Sequence, residues 1–375
     1  MAYQNVGTPV FYMDELSWRR ANGIHMSVTQ DSTNWNVVSG EMNNLFGLNP
    51  SNGVEIAIDG QHGNDTIYFQ SDDFNFPVNQ TYHTSILGHN FASFSGWYQW
   101  DAYTGTPDNN TYNVASGGLL VNAGTNYQIN PAYDGFTMVK YSTRDTNVWR
   151  IQINPIGATS YLNNDIEGGY SYTSGVNLKL GSVVVGGVYE MPHSPDLNLK
   201  LSYEYDGVKT VQTKGGSTLS NASYTKPADW GSAGAWQLGG ASNLRSGRRV
   251  WDLSFSYLSD SDVFPVNAST SYAATIGSEV GYPEGSIGQS AGGATPEDSS
   301  DDLYGFTSNI LDGNDFFSQV WNKTMGGHLP FIFQPDGANN NPDQFAIARF
   351  DMKSLTYDQV ANNVYNVKLK IRECW

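Results

Sequence analysis

The residues of this sequence that could do chemistry are six histidines, two acidic turns and a run of aromatics. Zinc ligands recur at short fixed spacings of His and Cys. His83 and His89 lie six residues apart, and the sequence contains no HxH, HxxxH or Cys/His pair. It therefore predicts no bound metal and no histidine-based catalysis. The other histidines are His25, His62, His193 and His328.

The two acidic turns, residues 260–262 (Asp-Ser-Asp) and 312–315 (Asp-Gly-Asn-Asp), carry oxygen atoms of the kind that calcium binds. Neither turn continues to the Glu that completes a twelve-residue calcium loop. Asp and Asn beside a strand or a helix commonly form turns or cap free backbone amides. We interpret residues 260–262, which follow a strand, as a turn and residues 312–315, which precede a helix, as caps of free amides, and a bound cation stays open as an alternative.

The aromatic run contains Trp97, Tyr98 and Trp100. Exposed Trp and Tyr rings stack on sugars, so these side chains are candidates for carbohydrate binding. The stronger interpretation divides them between a sandwich core and a contact between subunits, where Trp and Tyr are enriched. No nucleophile elbow, phosphate-binding loop or dinucleotide motif is present, and we expect neither an enzyme nor a cofactor.

Alternating apolar and polar residues near the end of the chain predict the elements that would position such groups. Successive strand side chains point to opposite faces, so alternation indicates half-buried antiparallel strands. The predicted core positions of these strands are Trp251, Leu253, Phe255, Tyr257, Phe331, Phe333, Val367, Leu369 and Ile371. Between them, Phe317, Val320, Trp321 and Thr324 recur at helical spacing and predict one short helix over 314–325.

Composition and pattern together predict an all-β protein. Aromatic residues make up 13% of the 375 positions and Gly occupies 40, a mixture typical of β-sandwiches. We expect an N-terminal β-rich segment over residues 1–81, a jelly-roll-like sandwich over 82–244, and a third β domain over 245–375. An acidic loop at about 270–307 is too polar to pack by itself.

The charge balance excludes some partners. With 36 acidic and 19 basic residues the formal charge is −17, which repels phosphates, so we expect no sequence-specific nucleic-acid binding. Cys374 is the single cysteine, which excludes a disulfide-stapled fold. The start of the chain lacks signal-peptide features and no stretch approaches 18 apolar residues, so we expect a soluble protein without membrane insertion.

Three stretches together resemble a family of bacteriophage tail proteins. Residues 85–92, which contain Gly88, His89 and Asn90, are similar to a strand-turn of tail proteins with a galactose-binding-like jelly roll. Residues 248–258 resemble the opening strand of a tail ring domain, and residues 329–335, 346–350 and 365–373 resemble its closing strands. The likeness covers residues 82–375 in the family's order, and the predicted helix falls where those domains place theirs.

The resemblance implies a distal-tail, adaptor or baseplate subunit that forms a ring with copies of itself and contacts other tail proteins. Such a protein belongs to the virion tail and is assembled in the host cytoplasm. Gly88 and Asn90 would serve a tight turn, and His89 would hydrogen-bond nearby backbone. Two alternatives stay open: a module that binds a host surface glycan, and a head decoration protein.

Overall fold

A computed structural model of the chain describes residues 7–23, 35–58, 67–71, 80–94, 96–103, 113–114, 131, 133–142, 148–155, 176–204, 210–220, 229–230, 233–234, 248–264, 314–341 and 344–374. The fold is all-β, as predicted, with antiparallel sheets and few, short helices. The strands are, in chain order, β1 Val10–Tyr12, β2 Trp35–Ser39, β3 Val54–Ile58, β4 Ile67–Ser71, β5 Thr81–His89, β6 Gly96–Tyr103, β7 Asn113–Val114, β8 Gly135–Ser142, β9 Val148–Pro155, β10 Leu178–Leu180, β11 Ser182–Glu190, β12 Lys200–Glu204, β13 Thr210–Gln212, β14 Thr218–Ser220, β15 Asp229–Trp230, β16 Ala233–Gly234, β17 Arg248–Ser259, β18 Phe331–Gln334, β19 Ala346–Phe350, β20 Tyr357–Ala361 and β21 Val364–Glu373.

One ten-stranded sheet organises the molecule. Its order is β12-β17-β21-β19-β18-β1-β11-β5-β8, and β20 pairs with β21 beside that path. The short N-terminal strand β1 lies in its middle, hydrogen-bonded to β11 on one side and β18 on the other. Smaller sheets have the orders β4-β9-β6-β7 and β10-β3-β2, and two hairpins pair β13 with β14 and β15 with β16.

The ten-stranded sheet contains strands from all three predicted segments. β1 comes from 1–81 and pairs with β11 from 82–244, while β12 from 82–244 pairs with β17 from 245–375. The sheet thus crosses both predicted boundaries without a break, so the sheets are the natural units of this structure. The predicted acidic loop at 270–307 lies outside the described residues.

Two apolar clusters lie on one face of the sheet. The sandwich core joins β5, β8 and β11 to the smaller sheets, which makes this end of the molecule sandwich-like. The aromatic core covers the other end. The sandwich core includes Ile86, Tyr98, Val139, Ile151, Ile153 and Val183, and the aromatic core includes Phe11, Trp251, Leu253, Phe255, Phe316, Phe331, Phe333, Phe350, Val367, Leu369 and Ile371.

A third cluster, the inner core, shows that the sheet curls. In it the ring of Phe136 on β8 lies 6.1 Å from that of Phe345, which directly precedes β19. Five strand spacings separate β8 from β19, about 24 Å in a flat sheet. The sheet must therefore bend round this cluster. Its members include Val10, Tyr12, Leu87, Phe136, Met138, Val184, Ile332, Phe345 and Ile347.

The described helices are short. Besides two 3-10 helices at Met42–Leu45 and Pro50–Asn52, they are α1 Glu15–Ala21, α2 Phe91–Phe94, α3 Asp260–Val263 and a π-helix at Phe317–Trp321. The last lies within the predicted helix at 314–325, and Gly326 and Gly327 follow it with φ of 68° and 90°, a common way for glycine to end a helix. The C-terminal part thus has two short helices in its described residues, where the sequence predicted one.

Eight of the nine predicted core positions are confirmed, and Tyr257 is wrong. The eight are at most 4% exposed, whereas Tyr257 is 82% exposed. A β-bulge inserts one residue into β17 between Phe255 and Leu258, so Leu258 takes the inward position and Tyr257 points out. Tyr257 has φ of 64°, which a residue with a side chain rarely adopts.

Candidate assembly surface

The predicted turn motif at Gly88, His89 and Asn90 is a β-bulge at the end of β5. Gly88 has φ of 65°, and a Cβ there would approach the backbone of Gly181 at 3.1 Å. Asn90 does not have a positive φ, and its side chain bridges backbones: its amide donates to the carbonyl of Asn177 at 2.8 Å and its oxygen accepts from Lys179 N at 2.7 Å. The motif therefore connects β5 to β10.

His89 and His83 are buried parts of the scaffold. The backbone amide of Phe91 donates to His89 Nδ1 at 3.4 Å, which confirms the predicted bond to nearby backbone. His83 Nε2 lies 2.9 Å from the carbonyl of Met13 and its Nδ1 lies 2.9 Å from Ser85 Oγ, so Nε2 donates and Nδ1 accepts. Burial lowers the pKa of His83 to about 4 and that of His89 to about 3.

These two imidazoles should make the protein sensitive to acid. The unfolded chain binds protons on both rings below pH 6.5, whereas the folded chain keeps them neutral, so stability falls as the pH falls. Between pH 7 and 5 each ring should remove about 2 kcal/mol. Asp14, whose pKa burial raises to about 6, acts in the opposite sense and returns about 1 kcal/mol. We expect a net loss of about 3 kcal/mol from these three groups.

Urea unfolding at pH 7 and pH 5 measures this difference. The variant His89→Gln should lose about 2 kcal/mol less than the unaltered protein over that range. His328→Gln changes an exposed imidazole and leaves both buried rings in place, so it should retain the loss. Equal losses in the unaltered protein and in His89→Gln would contradict the prediction.

Of the aromatic run, Tyr98 belongs to the core. It is fully buried, its hydroxyl donates to Thr137 Oγ1 at 2.8 Å, and its ring stacks on Phe91 with centroids 5.3 Å apart. The idea that Tyr98 contacts a sugar or another subunit is therefore wrong. The side chains of Trp97 and Trp100 lie outside the described residues.

Both acidic turns supply caps where the structure describes them. Asp262 accepts from the backbone amide of Ser259 at 2.8 Å and from its hydroxyl, which forms a capping box at α3. Asp315 accepts from the amide and hydroxyl of Ser318 at 2.9 and 2.8 Å, at the start of the π-helix. The contacts of Asp315 confirm the predicted cap, whereas residues 260–262 begin a short helix where the sequence predicted a turn. Among the described residues, no group of three or more His, Cys, Asp or Glu side chains converges as metal ligands would.

Sequence reasoning missed a buried polar cluster, here called the Glu15 cluster, which consists of Glu15, Trp18, Arg19, Tyr82 and Lys323. Lys323 Nζ lies 2.9 Å from Glu15 Oε1 and 4.2 Å from the centroid of the Trp18 ring. The Tyr82 hydroxyl donates to Glu15 Oε2 at 2.8 Å, and Arg19 lies 3.9 Å from Oε1. The cluster therefore joins α1, β5 and the turns that follow the π-helix.

The positive charges of the Glu15 cluster lower the pKa of Glu15 by more than burial raises it. Burial alone would raise the pKa of Glu15, but Lys323, Arg19 and the hydrogen bond from Tyr82 hold that pKa below its usual value. Glu15 is therefore an ionised carboxylate in a buried site with 4% of its surface exposed. Its ion pairs and hydrogen bonds connect α1, β5 and the turns after the π-helix, so they contribute to the stability of the fold.

An exposed feature of a different kind is β12, the outermost strand at one end of the ten-stranded sheet. β12 pairs with β17 on one side in an unbroken register of five residues. Leu201 and Tyr203 are 48% and 62% exposed, and Leu197, just before the strand, is 87% exposed. Proteins protect a sheet edge with a short strand, charged side chains, a bulge, a proline or a covering element; β12 is five residues long and carries Lys200 and Glu204, but its described residues include no bulge and no proline.

Apolar and polar residues alternate over 197–205, as in a half-buried strand, but the structure leaves part of the apolar side exposed. Leu201 lies opposite Trp251 in the register with β17, so both occupy the face that carries the aromatic core. Leu199 packs partly against that core. The apolar face of the sheet therefore continues to its edge, where Leu201 and Tyr203 stay largely uncovered.

The described helices include none with the length and apolar character needed to cross a membrane. No family model matches this sequence, and no curated protein matches it.

Proposed function

We propose that this chain is a structural subunit that assembles with copies of itself, and that it serves in the tail of a bacteriophage as a distal-tail, adaptor or baseplate ring protein. The observation that carries self-assembly is the open edge strand β12 with its uncovered Leu201 and Tyr203. A strand edge offers a row of free amides and carbonyls to another chain. Assembly would satisfy those groups and remove apolar surface from water in one step.

The curled sheet suits a load-transmitting scaffold. Its ten antiparallel strands connect the N-terminal strand β1 to the C-terminal strand β21 through continuous hydrogen bonding. Apolar cores pack against both faces of the sheet at β1. Phe11 belongs to the aromatic core on one face, and Val10 and Tyr12 belong to the inner core on the other. We expect a sheet with continuous strand pairing and packing on both faces to resist deformation by forces from neighbouring subunits.

The phage assignment rests on the resemblance of residues 85–92, 248–258 and 329–373 to tail proteins. The last two stretches resemble parts of one ring domain. This is supported by the sheet, in which the strands they contain lie side by side in the order β17, β21, β19 and β18. The glycan-binding alternative loses Tyr98, which is buried. The proposal therefore keeps the scaffold role for the whole chain.

Light scattering coupled to size-exclusion chromatography tests self-assembly with the full-length protein. We expect a mass that is a multiple of 41.1 kDa at micromolar concentration. A monomer at every concentration up to the millimolar range would contradict self-assembly. Mass spectrometry of purified phage particles tests the tail assignment: peptides of this chain at constant copy number support it, and their absence from particles contradicts it.

A further inference from the structure

The sequence of β12 is chemically symmetric about its central residue. It reads Lys200, Leu201, Ser202, Tyr203, Glu204, with a cation at one end, an anion at the other, and two apolar residues on either side of a serine. All but Glu204 are exposed, and Glu204 is partly exposed. A strand with this pattern is complementary to an antiparallel copy of itself.

If two copies of β12 pair antiparallel about a two-fold axis at Ser202, each residue of one strand lies opposite a residue of compatible chemistry in the other. Lys200 would lie opposite Glu204 of the partner subunit, and Leu201 opposite Tyr203 of the partner subunit. Directly opposed residues of an antiparallel pair have Cβ atoms about 5 Å apart, close enough for ion pairing and apolar contact. Parallel pairing would instead place Lys200 near Lys200 of the partner subunit, and like charges so placed are destabilising.

The faces of the strand agree with this pairing. Leu201 and Tyr203 lie opposite Trp251 and Arg249 in the β17 register, so they share the face of the aromatic core. Joining two such edges would make the apolar faces of two sheets continuous. On the other face Glu204 pairs with Arg372 of its own chain at 3.4 Å, and its side chain stays 43% exposed, which leaves room for a cation of a neighbouring chain.

We propose that β12 is a two-fold contact between two copies of this chain, in which the two strands pair antiparallel about Ser202 and join two ten-stranded sheets. This inference rests on the proposed self-assembly and names its partner and register. A two-fold contact uses the same patch on both copies and closes at two. A ring that contains it therefore needs a second, different interface and has an even number of copies.

Disulfide trapping tests the register. In a Cys374→Ala background, which removes the native thiol, Ser202→Cys should form a dimer of twice 41.1 kDa under mild oxidation. Facing residues of an antiparallel pair have Cα atoms about 4.5 to 5.5 Å apart, which suits a disulfide. The control Lys214→Cys, in the exposed turn between β13 and β14, should stay monomeric on denaturing gels.

A mixed experiment distinguishes this register from others. Leu201→Cys and Tyr203→Cys, each in the same background, should form the disulfide dimer when mixed and little dimer when oxidised alone. Oxidised dimers from Leu201→Cys alone would indicate another register and overturn the proposal. A chain that is oligomeric by light scattering while Ser202→Cys does not crosslink would overturn the β12 contact and leave the proposed function standing.

Charge exchange gives a second, independent measurement. Each single reversal, Lys200→Glu or Glu204→Lys, changes two symmetric pairs and should weaken association about tenfold. The double variant restores both pairs between subunits but loses the pair of Glu204 with Arg372, so it should associate more tightly than either single variant, as should a mixture of the two single variants. Failure of the double variant to recover, with an unchanged thermal midpoint showing that it is folded, would overturn the two-fold pairing.

Discussion

Replacing Lys323 with Met should lower the free energy of unfolding by about 3 to 5 kcal/mol, because it leaves Glu15 ionised and buried without its closest cation. Lys323 Nζ lies 2.9 Å from Glu15 Oε1, and the two side chains are 11% and 6% exposed. The substitution also removes the contact of the ammonium with the Trp18 ring at 4.2 Å. Denaturant unfolding at pH 7 measures the loss.

A double variant shows how much of this loss comes from leaving the Glu15 carboxylate without Lys323. Lys323→Met combined with Glu15→Gln removes both charges, while the amide oxygen can still accept from Tyr82, so the double variant should be more stable than Lys323→Met alone. A matched control is the exposed pair of Lys370 and Asp351, whose side chains are 45% and 41% exposed. Asp351→Asn should cost at most about 1 kcal/mol. Equal losses for the buried and exposed pairs would contradict our account of the Glu15 cluster.

Phe11→Ala should destabilise the protein by about 3 to 5 kcal/mol, the range for deleting a buried phenyl ring. Phe11 is fully buried, and its ring centroid lies 5.3 to 6.1 Å from those of Phe316, Phe331, Phe333 and Phe350. Because β1 hydrogen-bonds to β11 and β18, a loss here weakens the connection between the two ends of the sheet. Urea unfolding followed by tryptophan fluorescence measures the change.

The control for Phe11 is an apolar side chain that touches little. Leu197 is 87% exposed, so Leu197→Ala should change the free energy of unfolding by less than about 0.5 kcal/mol. Phe11→Leu keeps much of the apolar volume and should lose less than Phe11→Ala. A loss below 1 kcal/mol for Phe11→Ala would mean that β1 is dispensable to the sheet, contrary to its central position.

Local pattern was enough for the strands near the C-terminus. Alternation predicted β17 and β21, because each apolar residue of a half-buried strand is followed by a polar one on the other face. The same reasoning failed at Tyr257, since a bulge shifts the alternation by one residue and nothing near Tyr257 in the sequence marks it.

Contacts between segments far apart in the chain could not be predicted from the sequence. Glu15 and Lys323 are 308 positions apart, and each looks like an ordinary surface charge in its own neighbourhood. The alternation of residues 197–205 predicted a strand but did not show that β12 would be outermost in its sheet. A period of two reports which face a residue occupies, and it contains no information about which strand lies beside it.

The sequence by itself determined the all-β class, the inward residues of the C-terminal strands except at Tyr257, and the capping role of Asp315. Only the tertiary structure decided that β1 lies at the centre of the sheet and β12 at its edge. Local preferences depend on neighbours along the chain, whereas the order of strands depends on contacts between residues far apart in it. The surface proposed for assembly is a product of that order, and it became visible only when the sheet was complete.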